Sequence, residues 1–171
     1  SGISHKRIEK EGGLQWPCPD PKHPGTKYLH KGQFTRGKGL FSAVEYRDPA
    51  EMPDDEYPIT LTTGRILQHF HTGSMTRRVD SINEHIPSGW VEISPSLADK
   101  LGVAEGDKVA VESRRGKIEI SARVTSKVNG DVVFIPFHFA EAAANRLTNA
   151  ALDPVARIPE YKVCAVKISK V

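Results

Sequence analysis

Residues 108–124 read KVAVESRRGKIEISARV. In the second half, Ile118, Ile120, Ala122 and Val124 alternate with Lys117, Glu119, Ser121 and Arg123. That period of two turns one face of a strand to a core and the other to water. The first half is a short run rich in β-branched residues that ends at Glu112, and Ser113 to Gly116 joins the two as a hairpin connection, with Gly116 available for a positive φ. The same texture recurs outward from this pair. ITLTT (59–63), WVEI (90–93), DVVFIPF (131–137) and KVCAVKI (162–168) are short, β-branched and bounded by turn residues. Six or so strands in so small a domain imply a β-barrel, because closure removes exposed edges.

Two short helices are expected among them. In SPSLADKLGVAEGD (94–107), Ser94 suits the cap, Pro95 the first turn and Gly102 the end. A second is expected over Ala140–Leu147 (AEAAANRL), with Pro154 and Pro159 interrupting the stretch beyond it. Residues 1–57 contain scattered Gly and Pro and no period lasting more than a turn or two, so they read as an extended N-terminal arm whose end, Pro49 to Pro58, is a linker; residues 58–171 form the barrel.

With 171 residues, 38% hydrophobic and 26% charged, the chain has the composition of one globular domain with an appended arm. No apolar run reaches the roughly 20 residues that span a bilayer and the first residues are not apolar, so neither membrane insertion nor a signal peptide is expected and a cytoplasmic location is. Cys18 and Cys164 are too few for a disulfide scaffold, a thiolate zinc site or an iron–sulfur cluster. Lys and Arg outnumber acids nine to four between Lys6 and Arg47, ahead of the acidic run DPAEMPDDE (48–56). Such an arm suits an anionic partner, nucleic acid included, or is simply solvated.

Chemistry concentrates in two segments. In TTGRILQHFHTGSMTRR (62–78) a strand ends in a glycine-containing turn and then presents Arg65, His69, His71, Thr72, Ser74, Thr76, Arg77 and Arg78. Backbone N–H groups at Gly64 and Gly73, hydroxyls and guanidinium forks are the donors that bind phosphate oxygens, although the pattern matches neither a Walker loop nor a dinucleotide fingerprint. His69 and His71 have no third ligand at a metal-binding spacing. In PFHFAEAAANRLTNAALDPVARIPEYKVCAV (136–166), Asn145, Thr148, Asn149, Tyr161 and Lys162 add amide, hydroxyl and ammonium groups; an amide can read a purine or pterin edge, and Asn145 could equally cap the helix. Trp90, Phe137 and Phe139 read as core. No GxSxG elbow or cysteine with an adjacent base is present, and the acids fall mainly on strand exteriors and in the linker.

Both segments closely resemble the end of the catalytic α subunit of formate dehydrogenases in the molybdopterin oxidoreductase superfamily, and EGGLQWPCPDPKHPGT (11–26), FTRGKGLF (34–41) and EYPITLTTGR (56–65) extend the likeness along nearly the whole chain. The resemblance implies a double-psi β-barrel closing over a bis(molybdopterin guanine dinucleotide) cofactor that carries Mo or W. Gly64, Arg65, His69, His71 and Thr72 would meet the dinucleotide near its phosphates or the pterin, with Ser74, Met75 and Thr76 continuing that loop. Asn145 would contact the pterin system, while Tyr161 and Lys162 would line the other dinucleotide.

The resemblance also implies that formate is oxidised to carbon dioxide in the whole enzyme. The metal's Cys or selenocysteine ligand and the iron–sulfur cluster belong to other parts of that polypeptide, so this piece alone is expected to be inactive and to have the remaining domains, and possible electron-transfer subunits, as partners. A free-standing nucleic-acid-binding barrel, or the same domain from a nitrate or arsenate enzyme, are the alternatives. The reading requires the loops after Thr63 and around Asn145 to share one mouth of the barrel.

Overall fold

The computed structural model describes residues 2–171; Ser1, which the arm reading includes, lies outside them. The chain divides into two compact units, ending and beginning at Tyr46 and Arg47.

In the first unit, α1 (His5–Glu11) is capped by Ser4, whose hydroxyl accepts the Arg7 N–H, and is closed by Gly12 at φ 70°. The Arg7 guanidinium then binds the carbonyls of Gly2 at 2.7 Å and His23 at 3.0 Å, fastening this coil around Cys18. Cys18 is the one buried hydrophobic residue of this unit among the described residues, so polar bonds hold it together in place of an apolar core.

The second unit is a closed barrel of six strands, β1 (Ile59–Gly64), β2 (Trp90–Ile93), β3 (Lys108–Ser113), β4 (Gly116–Val124), β5 (Val132–Pro136) and β6 (Cys164–Lys170). Their order around it is β1-β5-β2-β4-β3-β6. The pairs β1/β5 and β2/β4 are parallel and the rest antiparallel. This is the double-psi β-barrel expected from the sequence. Ile118, Ile120 and Ala122 point inward from β4, and Leu61, Val91, Ile93, Val109, Val111, Val133, Ile135 and Val166 complete a fully buried interior. Trp90 and Phe139 are buried as expected, while Phe137 packs at the edge of the core.

The capped helix forms as α3, after α2 (Asp80–His85), which carries little periodic signal; in α3 (Pro95–Leu101) Ser94 Oγ accepts the Leu97 N–H and Gly102 closes the end at φ 64°. The helix expected over Ala140–Leu147 does not form. Only one 3-10 turn, Ala144–Arg146, is present. Burial of Phe139, Ala142, Ala144 and Leu147 in the barrel end outweighs the helical preference of the alanines, which is a weak local bias. Gly116 likewise does not adopt a positive φ; it leaves room for the Arg146 carbonyl oxygen, which a Cβ would meet at 3.0 Å.

The acidic stretch expected to be linker lies with the barrel unit. Glu51 takes a two-pronged contact from Arg115 (2.9 and 2.7 Å), a bond from Arg114 (3.0 Å) and the Ala165 N–H (3.1 Å). Burial pushes its carboxyl up, yet these donors together hold it below the ordinary carboxylate value. Glu92 is an exception to the expectation that the acids lie mainly on strand exteriors and in the linker: it is buried and accepts the Trp90 indole N–H at 3.2 Å.

Candidate functional site

Strand direction decides where the polar segments meet. Because β1 and β5 are parallel, with Thr63 beside Ile135 and Gly64 beside Pro136, the loops leaving both strands emerge at the same end of the barrel. The Phe137 N–H continues the pairing onto the Gly64 carbonyl at 3.1 Å. Since β6 runs antiparallel to β1, with Cys164 beside Leu61, the residues entering β6 reach that end too. Thr63 Oγ1 donates to the Tyr161 carbonyl and Lys162 Nζ to the Thr63 carbonyl, each at 2.7 Å. Three loops thus share one mouth.

The loop after β1 is held by histidines. His138, at the end of β5 and 1% exposed, accepts the Ile66 N–H at Nε2 (2.9 Å) and donates from Nδ1 to the His71 carbonyl. Accepting at one nitrogen while donating at the other requires a neutral ring. Burial lowers its pKa accordingly, outweighing the His71 carbonyl, which raises it. His69 is buried as well, its ring nitrogens bonded to Thr76 Oγ1 at 3.0 Å and the Ile86 carbonyl at 2.9 Å. Arg77 spans from this loop to the next, bonding Glu141 at 2.6 Å, Asn83 at 3.3 Å and the Pro87 carbonyl at 3.1 Å, over the Phe139 ring. Burial pushes the Glu141 carboxyl up, and the Arg77 bond helps bring it below its ordinary value.

The other polar side chains of the mouth face outward. Arg65 lies 5.9 Å from the Phe137 ring centre and is exposed with His71, Thr72, Ser74 and Met75 on its own loop, Asn145 on the second and Tyr161 and Lys162 on the third. His71 at φ 48° and Gly73 at φ 72° bend the first loop, and the Gly73 N–H, expected as an anion donor, is taken by the Phe70 carbonyl at 2.9 Å. Gly64 is needed for close approach, because a Cβ would stand 2.7 Å from the Phe134 ring. Thr72, His138, Phe139 and Asn145 line one recess of about 190 Å³. A wider cleft of about 600 Å³ lies between residues 47–50 and the 151–160 loop, with Lys162 on its wall. Of the residues singled out in the sequence, His69 and Thr76 therefore shape the loop from within, Gly64 and Gly73 are buried, and Arg65, His71, Thr72, Ser74, Met75, Asn145, Tyr161 and Lys162 are exposed at the mouth. His138, which sequence reasoning passed over, and Arg77, expected there as an anion-binding donor but bonded here to Glu141, Asn83 and the Pro87 carbonyl, tie the loops together. Among the described residues no group of three or more His, Cys, Asp or Glu could hold a metal ion, and no helix is long and apolar enough to cross a membrane.

Residues 59–165 match the family described as molydopterin dinucleotide binding domain. The chain belongs to that family. Relatives of this dinucleotide-binding domain include the F420-dependent formate dehydrogenase subunit alpha of Methanocaldococcus jannaschii, 52% identical over 99% of the chain and 25% of the relative. The F420-dependent formate dehydrogenase 1 subunit alpha of Methanococcus maripaludis is 49% identical over the whole chain and 26% of the relative. The periplasmic nitrate reductase of Desulfovibrio desulfuricans is 38% identical over 99% and 25%. The chain thus spans about a quarter of the length of the curated relatives it matches. Among solved structures, acetylene hydratase from Pelobacter acetylenicus shares the fold, with a TM-score of 0.64 at 17% identity, over 74% of this chain and 21% of that one. The dinucleotide-binding family and the mouth fit each other chemically: a phosphorylated pterin needs a cation, hydroxyls and an amide on one rim, and Arg65, Thr72, Ser74 and Asn145 supply them.

Proposed function

We propose that this chain is the cofactor-holding part of the catalytic α subunit of an F420-dependent formate dehydrogenase, and that its barrel mouth grips a bis(molybdopterin guanine dinucleotide). The observation that carries the reading is the convergence of three polar loops on one mouth, in a chain similar along its whole length to such α subunits. Arg65, His71, Thr72 and Ser74 would hold phosphate oxygens of one dinucleotide and Asn145 its pterin edge, while Tyr161 and Lys162 would line the second beside the wider cleft. Gly64 and Gly73 let the Phe134 ring and the Arg77 side chain close in behind the loop, and Met75 would continue its exposed edge. His69 and Thr76 act from inside the loop. When bound, the metal and its pterins supply the two-electron redox chemistry of formate oxidation; the residues here bind and orient.

The metal, Mo or W, its protein ligand and the iron–sulfur cluster belong in this reading to the rest of the subunit, with electron-transfer subunits beyond it and the assembly in the cytoplasm. The nitrate reductase alternative is disfavoured by its lower identity, 38% against 52%. In the full-length subunit, Arg65→Ala and Asn145→Ala should each lower bound pterin, assayed by fluorescence of the oxidised pterin against protein. Losing a charge-assisted contact at Arg65 weakens binding by about 1.5–3 kcal/mol. Undiminished cofactor in both variants refutes the assignment of this mouth.

A further inference from the structure

The Glu51 cluster, none of whose side chains is among those assigned above to the cofactor, reaches the Asn145 loop by a separate set of bonds. Arg115 Nε and Nη2 both donate to the Leu147 carbonyl, at 3.0 and 2.8 Å, while the same guanidinium clasps both oxygens of Glu51 at 2.9 and 2.7 Å. Leu147 directly follows the 3-10 turn Ala144–Arg146 that displays Asn145. Gly116 passes the same backbone closely, so that an added Cβ would stand 3.0 Å from the Arg146 carbonyl oxygen and push on it. Glu51 in turn accepts the Ala165 N–H of β6 at 3.1 Å, so the pair is anchored on a strand of the barrel. The turn itself is one 3-10 cycle, too short to hold its own shape.

We infer that Glu51 and Arg115 are positioning residues for the cofactor mouth: a carboxylate–guanidinium brace, anchored on β6 and the β3–β4 hairpin, that fixes the Asn145 turn from behind. This rests on the reading of Asn145 as a cofactor contact. The guanidinium is needed in its planar form, because only a fork can span a carboxylate and a carbonyl at once; a lysine offers a single point.

The test uses the full-length subunit with Asn145→Ala, Arg115→Ala, Arg115→Lys, Gly116→Ala and the double variant N145A/R115A. Bound pterin is measured at limiting cofactor, and amide hydrogen exchange is followed over residues 143–149. Outer-shell supports typically change affinity about tenfold or more. Arg115→Ala, Arg115→Lys and Gly116→Ala should each lower occupancy about tenfold and speed exchange across 143–149. The double variant should bind no worse than N145A, because the brace acts only through that turn. Loss in N145A with full occupancy and unchanged exchange in the Arg115 and Gly116 variants overturns the brace and leaves the mouth intact. Full occupancy in N145A itself removes the premise, and the brace with it. Should Arg115→Ala fail to fold, Arg115→Lys and Gly116→Ala decide on the same readouts.

Discussion

His138 shows how one side chain sets the shape of a binding loop. Its two ring nitrogens serve the backbone of Ile66 and His71 simultaneously, so His138→Ala leaves a half-buried N–H and a carbonyl without their partner and empties a buried position. At about 0.5–1.5 kcal/mol for each such bond, roughly 1–3 kcal/mol of stability should be lost, measurable by denaturant unfolding. The pH dependence has a definite sign. Burial holds the folded-state pKa below the ordinary value of 6.5, so on acidification the unfolded chain takes up a proton that the folded one refuses. Stability from this residue is therefore complete above about 6.5 and declines as the pH falls below it. The unfolding midpoint should drop between pH 7.5 and 5.5, less steeply in His138→Gln, whose amide donates and accepts without titrating. Equal slopes in the two proteins would rule this out. Arg65, Thr72 and Asn145 were legible because polar groups follow strand ends there. His138 was not, since Phe137 and Phe139 make it look like part of an apolar strand end and its partners are backbone atoms 72 and 67 residues away.

At the scale of elements, legibility followed how local the determining interactions are. The cap of α3 is written in neighbouring residues, Ser94, Pro95 and Gly102, and forms as read. Ser94→Ala should destabilise the barrel by about 1–2 kcal/mol, because its hydroxyl also donates to the Gly130 carbonyl at 2.8 Å; a change within a few tenths, by thermal unfolding, would show the cap to be idle. The strands were legible from their period of two. The segment 140–147 was not, because its alanines favour a helix locally while Phe139, Ala142 and Leu147 are claimed by the barrel end and its chain is tied to Arg115 from another hairpin. Glu51 was misplaced in a linker for the same reason, its partners lying 63 to 114 residues further on.

Across the whole molecule, Cys164 reports the integrity of the barrel. It is fully buried at the start of β6, and burial pushes its thiol up to about 11, against the opposing pull of Arg115. At neutral pH it should resist alkylation until the barrel opens, so its labelling rate with iodoacetamide should match the global unfolding equilibrium; rapid labelling of the native protein would contradict this. The strand that Cys164 begins pairs with β1 on one side and β3 on the other. Stopping the polypeptide at Lys162 would cut that circle into a ribbon with two raw margins, each a row of unsatisfied amides and carbonyls inviting a neighbour's backbone. Such a shortened chain should elute as larger assemblies on a sizing column than the intact one, so closure of the circle hangs on a short stretch that holds none of the residues proposed to bind the cofactor.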